Sequence, residues 1–271
     1  MKKHLSTIIL VIILLVGLSL LLYPTVSDYW NSLHQTKAIA SYTEAVADLD
    51  SEVYEEYWNK AVAYNEALWN RANRYFPTEE ESADYYSQLD VSATGIMGYI
   101  QIPVIDCSLP VYHGTDEAVL QVGVGHVEFS SLPVGGEGTH CVLSGHRGLP
   151  SAKLFTNLDR VQEGDVFMLQ VLDETLTYQV DQVRIVLPEE VKDLDLAKGA
   201  DYCTLVTCTP YGVNTHRILV RGRRTANIEE ELHVTITPDA VKVDARLVAP
   251  AVAMPMLLVL LVWLLIHYRK R

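Results

Sequence analysis

Two uncharged apolar runs bracket the chain, LSTIILVIILLVGLSLLLY over Leu5–Tyr23 and LVAPAVAMPMLLVLLVWLLI over Leu247–Ile266. At ~1.5 Å per residue, a run of about 20 residues spans a hydrocarbon core of roughly 30 Å, so two membrane helices are predicted. After the first run, Thr36–Tyr75 places Ala, Leu, Val, Tyr and Trp at three- and four-residue spacings without Gly or Pro. That is the period of one long helix or two, standing just outside the membrane. FPTEEESADYYSQLDVSATG, acidic and turn-rich, reads as a loop. From Gly95 the pattern changes to short strands: GIMGYIQIP, CSLPVYHG, GVGHVEF, GTHCVLSGH, DVFMLQV, ETLTYQVDQVRIVLP, YCTLVTC and HRILVRGRR. Eight short strands between Gly, Pro and Asp turn signals indicate a mainly β barrel or sandwich. LPSAKLFTNLDRV, between the fourth and fifth, reads as a short helical crossing.

The implied organisation is a tail (1–4), a span (5–23), a helical stalk (24–94), a β domain (95–224), a linker (225–246), a second span (247–266) and a closing tail (267–271). The first run starts like a secretory signal, with Lys2 and Lys3. Its apolar core exceeds the usual ~7–15 residues, however, and no small-x-small cleavage site follows, which favours an uncleaved anchor. Pro250 and Pro255 in the second run are tolerable in a membrane helix. Lys2 and Lys3 precede the first span, and Arg269, Lys270 and Arg271 follow the second. Both termini are therefore expected in the cytoplasm and the β domain outside the cell.

That topology sharpens the charge argument. The chain has 21 basic and 34 acidic residues, net −13. Setting aside the five cytoplasmic basic residues leaves 16 against 34, a net charge of −18 for the outer part. Such a surface repels nucleic acid, so a nucleic-acid function is excluded.

The cysteines are Cys107, Cys141, Cys203 and Cys208. They are too few for a disulfide framework, and without a C-x-x-C pair a zinc or thioredoxin-like site has little support. Cys203 and Cys208, five apart on one strand, point to opposite faces and cannot pair. Free cysteine is most often buried core, so a nucleophile needs a partner base. In the β domain the candidates are His113, His126, His140, His146 and His216. His146 ends a strand between Gly145 and Gly148, a placement typical of sites. Four arginines, Arg217, Arg221, Arg223 and Arg224, cluster after Cys208. An arginine fork can bind an oxyanion or a peptide backbone.

These residues carry a resemblance. TLVTC resembles the Thr-Leu-x-Thr-Cys signature of the sortases, SGHRG the segment holding their catalytic histidine, and HRILVRGRR the strand carrying their catalytic arginine. GYIQIPVIDCSLPVYHGT is similar to the opening strands of the same barrel. The resemblance covers Gly95–Arg224, and the order histidine, cysteine, arginine agrees. It implies an eight-stranded sortase-type β-barrel with His146, Cys208 and Arg217 catalytic and no metal or cofactor. It also implies cleavage of a Leu-Pro-x-Thr-Gly sorting signal between Thr and Gly through a Cys208 acyl-enzyme. The helical extension and second span resemble class C, the pilin polymerases, whose partners are sorting-signal-bearing pilins and an acceptor pilin lysine. A cell-wall-anchoring enzyme using a peptidoglycan amine is the alternative. Outside the family, a cysteine protease of another fold is disfavoured by residue order and by the VTCTP neighbourhood, and a non-catalytic scaffold by the intact triad.

One departure stands out. Class C enzymes carry a lid with an Asp-Pro-aromatic motif, and no Asp-Pro pair precedes the barrel here. Tyr75–Val91 occupies the matching position. A carboxylate from it could pair with Arg217 and a ring could shield Cys208. The expectation is a plug that opens readily or does not cover the site.

Overall fold

A computed structural model describes residues 2–71 and 73–227. The second apolar run and most of the linker, residues 228–271, lie outside the described residues. Helix α1 runs from Lys2 to Ala47, through Pro24, so the first apolar run and the start of the stalk form one rod. The chain breaks at Asp48–Asp50, and Asp50 caps α2 (Ser51–Leu68) by accepting a hydrogen bond from the Val53 N–H at 2.9 Å.

The acidic segment expected as a loop forms α3 (Glu79–Ser87). Thr78 and Glu81 make a reciprocal capping box at its start. These helices share the core of the β domain. Tyr42, Val46, Ala61, Tyr64, Tyr85 and Leu89 are buried in one cluster with barrel residues. The Tyr42 hydroxyl donates to Met97 O (3.0 Å) and accepts from the Leu172 N–H (2.7 Å).

All eight expected strands form. They are β1 (Ile96–Ile102), β2 (Cys107–His113), β3 (Val124–His126), β4 (Thr139–Ser144), β5 (Val166–Val171), β6 (Glu174–Val186), β7 (Asp201–Thr209) and β8 (His216–Arg224). They close into a barrel in the order β1-β2-β3-β4-β7-β8-β6-β5, which resolves the choice between barrel and sandwich. Closure leaves no edge strand. The β2–β3 and β4–β7 pairs are parallel and the rest antiparallel. A four-residue helix, α4 (Glu117–Leu120), bridges β2 and β3. The expected helical crossing at 149–161 is instead a chain of turns ending in one 3₁₀ turn, Leu158–Arg160. Its apolar residues Leu154, Phe155 and Leu158 are buried, which gives the segment helix-like spacing without a helix.

Candidate active site

The β4–β7–β8 register assembles one end of the barrel. Along β7 the side chains alternate, with Cys203, Leu205, Thr207 and Thr209 buried and Val206 and Cys208 less so. Cys208 therefore points away from the inner core. Its cross-strand partner on β8 is Arg217, and paired residues share a face. On the other side, β4 runs parallel to β7 with Ser144 opposite Val206. Two residues further, His146 arrives beside the level of Cys208.

Short polar contacts lock this arrangement on both flanks. The Thr207 hydroxyl donates to Gly145 O at 2.6 Å, and the Gly145 N–H donates to Val206 O at 3.1 Å. Arg147 donates to the Thr209 hydroxyl at 3.2 Å and to Asp159 at 2.6 Å. The neighbours of Cys208 thus hold the neighbours of His146. Gly145 admits no side chain, because a Cβ there would lie 2.7 Å from the Phe155 ring.

The other candidate histidines serve the framework. His113, His126 and His140 are buried. His126 lies 3.0 Å from the Tyr85 hydroxyl, and His140 bridges Asp195 O (2.8 Å) and the Thr204 hydroxyl (2.7 Å). Among the described residues the His216 ring hydrogen-bonds its neighbour Thr215, and as the residue before Arg217 it falls on the other face of β8. His146 stands near the Cys208 end, partly exposed, with its Nε2 buried and without a hydrogen-bond partner among the described residues. The nearest carboxylate is Glu117 of α4, whose Oε2 lies 3.6 Å from that Nε2. Gln121 donates to the other Glu117 oxygen. That bond first, and His146 after it, holds Glu117 below the usual carboxylate range.

Arg217 donates to Asn214 O (3.2 Å) and His216 O (3.1 Å), and no carboxylate pairs with it among the described residues. Its charge is available to an incoming group. Below Cys208, the same outer face carries Val142, Val186, Leu194 and Leu219, a small apolar cluster with Val206 packed against it.

All four cysteines are free. Burial, with a smaller contribution from Asp106, pushes the Cys107 thiol up to about 12, and burial likewise raises Cys203. A nucleophile must reach the thiolate form, so neither suits that role. Cys208 is partly exposed and lies opposite Arg217 across the β7–β8 pair. Among the described residues no group of His, Cys, Asp and Glu could hold a metal ion.

The Tyr75–Val91 segment is engaged elsewhere. Glu81 and Asp84 lie 3.6 and 3.9 Å from Arg71 rather than at Arg217. The Tyr85 hydroxyl accepts from the Gly114 N–H (2.9 Å) and contacts His126, while the Tyr85 ring packs edge-on against His113.

Comparison with known proteins bears on this geometry. The Sortase domain family model matches residues 100–225. Sortase C1 from Streptococcus agalactiae superposes with a TM-score of 0.69 at 52% identity, covering 71% of this chain and 100% of that one. The chain belongs to the sortase family. Sortase C of Streptococcus pneumoniae gives a TM-score of 0.62 at 42% identity, over 70% of this chain and 97% of its own. Sortase D of Bacillus subtilis is 31% identical over 130 residues, 47% of this chain. The chain spans 63% of that relative's length.

Sortases are cysteine transpeptidases, and sortase C enzymes, among them one from Actinomyces oris, are among the solved structures this chain resembles. What the sequence missed in this sortase site is Glu117, Thr207 and Thr209. Thr207 is the last threonine of the signature and Thr209 follows the cysteine, and their hydroxyls at a strand end were the available signal. Glu117 arrives from a separate short helix and has no local signature.

Proposed function

We propose that the protein is a membrane-anchored transpeptidase with Cys208 as nucleophile, His146 as acid and base, and Arg217 as oxyanion and substrate clamp. The observation that carries this reading is the double tether between the flanks of His146 and Cys208, with Arg217 directly opposite the cysteine. The Cys208 thiolate attacks the Thr carbonyl of a Leu-Pro-x-Thr-Gly signal. The S–C bond forms and the negative charge on oxygen is met by Arg217. Collapse breaks the Thr–Gly C–N bond as His146 donates its proton to the leaving amine. An acceptor amine then attacks the thioester, a new amide forms, the thiolate leaves and His146 takes the amine's proton.

The C-type neighbours, one of them described in terms of pilin substrate specificity, favour a pilin lysine as acceptor over a peptidoglycan amine. The helix over Ile9–Ala47 contains a window apolar enough to cross a membrane, none of it buried against the protein, which supports the anchor. The second span and the cytoplasmic placement of both ends complete the proposal. The test is incubation of the full chain with a Leu-Pro-x-Thr-Gly peptide, followed by intact-mass measurement. A mass gain equal to the Leu-Pro-x-Thr acyl group, lost on adding an amine and absent in Cys208→Ala, is expected. The same adduct on Cys208→Ala would refute the assignment.

A further inference from the structure

A pocket beside the site is walled on one side by α1. Pro24, Thr25 and Asp28 face Gly148, Leu149 and Tyr211 across this pocket of about 230 Å³. The wall is fixed in place. The Lys153 N–H donates to Asp28 at 2.8 Å and its ammonium lies 3.0 Å from the same carboxylate, while Asn31 donates to Ser151 O at 2.8 Å. Gly148 follows His146 by two residues and Tyr211 follows Cys208 by three. The site therefore sits at the height of residues 24–28 along the helix. The opposite end of the barrel sits much further along it, where Tyr42 holds Leu172.

The same unbroken helix carries the apolar run that ends at Tyr23. At a rise of ~1.5 Å per residue, Asp28 is only about 7–8 Å beyond Tyr23. The headgroup region on each side of a bilayer is roughly 5–8 Å deep. At this height the β7–β8 turn exposes two large side chains, Tyr211 at 60% and Val213 at 65%. Tyrosine favours the membrane–water boundary.

We propose that the Tyr211–Val213 turn docks on the surface of the bilayer that α1 itself crosses, so that Cys208 works within the headgroup layer. This rests on the anchor reading given above. The occupant is the lipid surface because the helix that places the bilayer also forms the wall of the pocket. The contact is apolar in character, since the acidic outer part of the chain repels anionic headgroups. Zwitterionic lipid suffices, and added salt changes little.

The test uses the full chain with Cys208→Ala in phosphatidylcholine nanodiscs, spin-labelled singly at Leu15→Cys, Val213→Cys or Asp173→Cys. The chain without an added cysteine measures background labelling. All three positions are exposed, so folding is not at stake. Collision with oxygen reports lipid, and collision with a water-soluble nickel chelate reports solvent. The expected result is an oxygen-rich label at 15, a chelate-rich label at 173, and at 213 a chelate collision rate several-fold below that at 173. Equal chelate access at 213 and 173, with 15 in hydrocarbon, overturns the docking while leaving the anchor intact. Chelate access at 15 overturns the anchor and the docking together. Protection of 213 by a sorting-signal peptide in detergent, but not by lipid, assigns the turn to substrate and refutes the proposal.

Discussion

At the scale of single residues, the site depends on what surrounds each group. Cys208 lies opposite Arg217 on the outer side of β7, whereas Cys203 on the same strand is fully buried. Cys208→Ala is expected to abolish the acyl adduct, and His146→Ala and Arg217→Ala each to lower kcat/KM by orders of magnitude. Cys107→Ser and Cys141→Ser are expected to keep the chemistry. Peptide cleavage followed by chromatography measures all five.

Thr207→Val gives a finer test. It keeps the shape and deletes the hydroxyl that holds Gly145 O at 2.6 Å. The loss of one buried hydrogen bond costs about 1–3 kcal/mol of stability, read by urea unfolding. Because the same bond positions His146, kcat is expected to fall while KM holds. An unchanged kcat would show that the tether serves folding only. His146, Cys208 and Arg217 were suggested in the sequence by the resemblance to the sortases, since spacing alone left five histidines and four arginines open. Glu117 was not. It reaches His146 only through the closure of β2, α4 and β3, which no local pattern encodes.

At the scale of elements, the strands were read well and the segment before them was not. A strand declares itself through β-branched and aromatic residues between turn formers, which is why all eight appear near their expected limits. The acidic stretch after Pro77 looked like a loop because charge and turn residues dominate its composition. The Thr78–Glu81 capping box, present in the sequence, was the signal for a helix start.

The docking of α3 fits the expectation of a segment that does not cover the site, because Tyr85 is fully buried against the barrel rather than over the thiol. Tyr85→Phe leaves the Gly114 N–H and the His126 ring without their shared hydroxyl, at a cost of about 1–3 kcal/mol. Loosening α3 in this way is expected to change the labelling rate of Cys208 by a small thiol reagent by less than about tenfold, or ~1.4 kcal/mol. A hundredfold acceleration would mean that α3 restrains access to the site after all.

At the scale of the whole molecule, the barrel is held at its β4–β7–β8 side by a buried histidine, and this sets a pH dependence of folding. His140 is buried on β4. Its two ring nitrogens meet Asp195 O and the Thr204 hydroxyl. A neutral ring satisfies both, donating from Nδ1 to the carbonyl and accepting at Nε2 from the hydroxyl. Burial lowers its pKa below the usual histidine value. The Asp195 contact opposes this, Arg221 and Arg74 reinforce it, and Asp181 weakly opposes it. The Tyr202 ring packs edge-on against the imidazole.

With the folded pKa depressed, the unfolded chain binds the extra proton between its own pKa, about 6.5, and the lower folded value. Stability is therefore fully present above about pH 6.5 and is lost as pH falls through that window. The limiting slope for one group is about 1.4 kcal/mol per pH unit. Urea midpoints measured between pH 8 and pH 5 are expected to be level at the alkaline end and to fall toward acid. His140→Gln is less stable at pH 8, because it loses the Asp195–Thr204 bridge, but it should show a shallower fall. The same slope in His140→Gln as in the parent chain would assign the acid sensitivity to other groups.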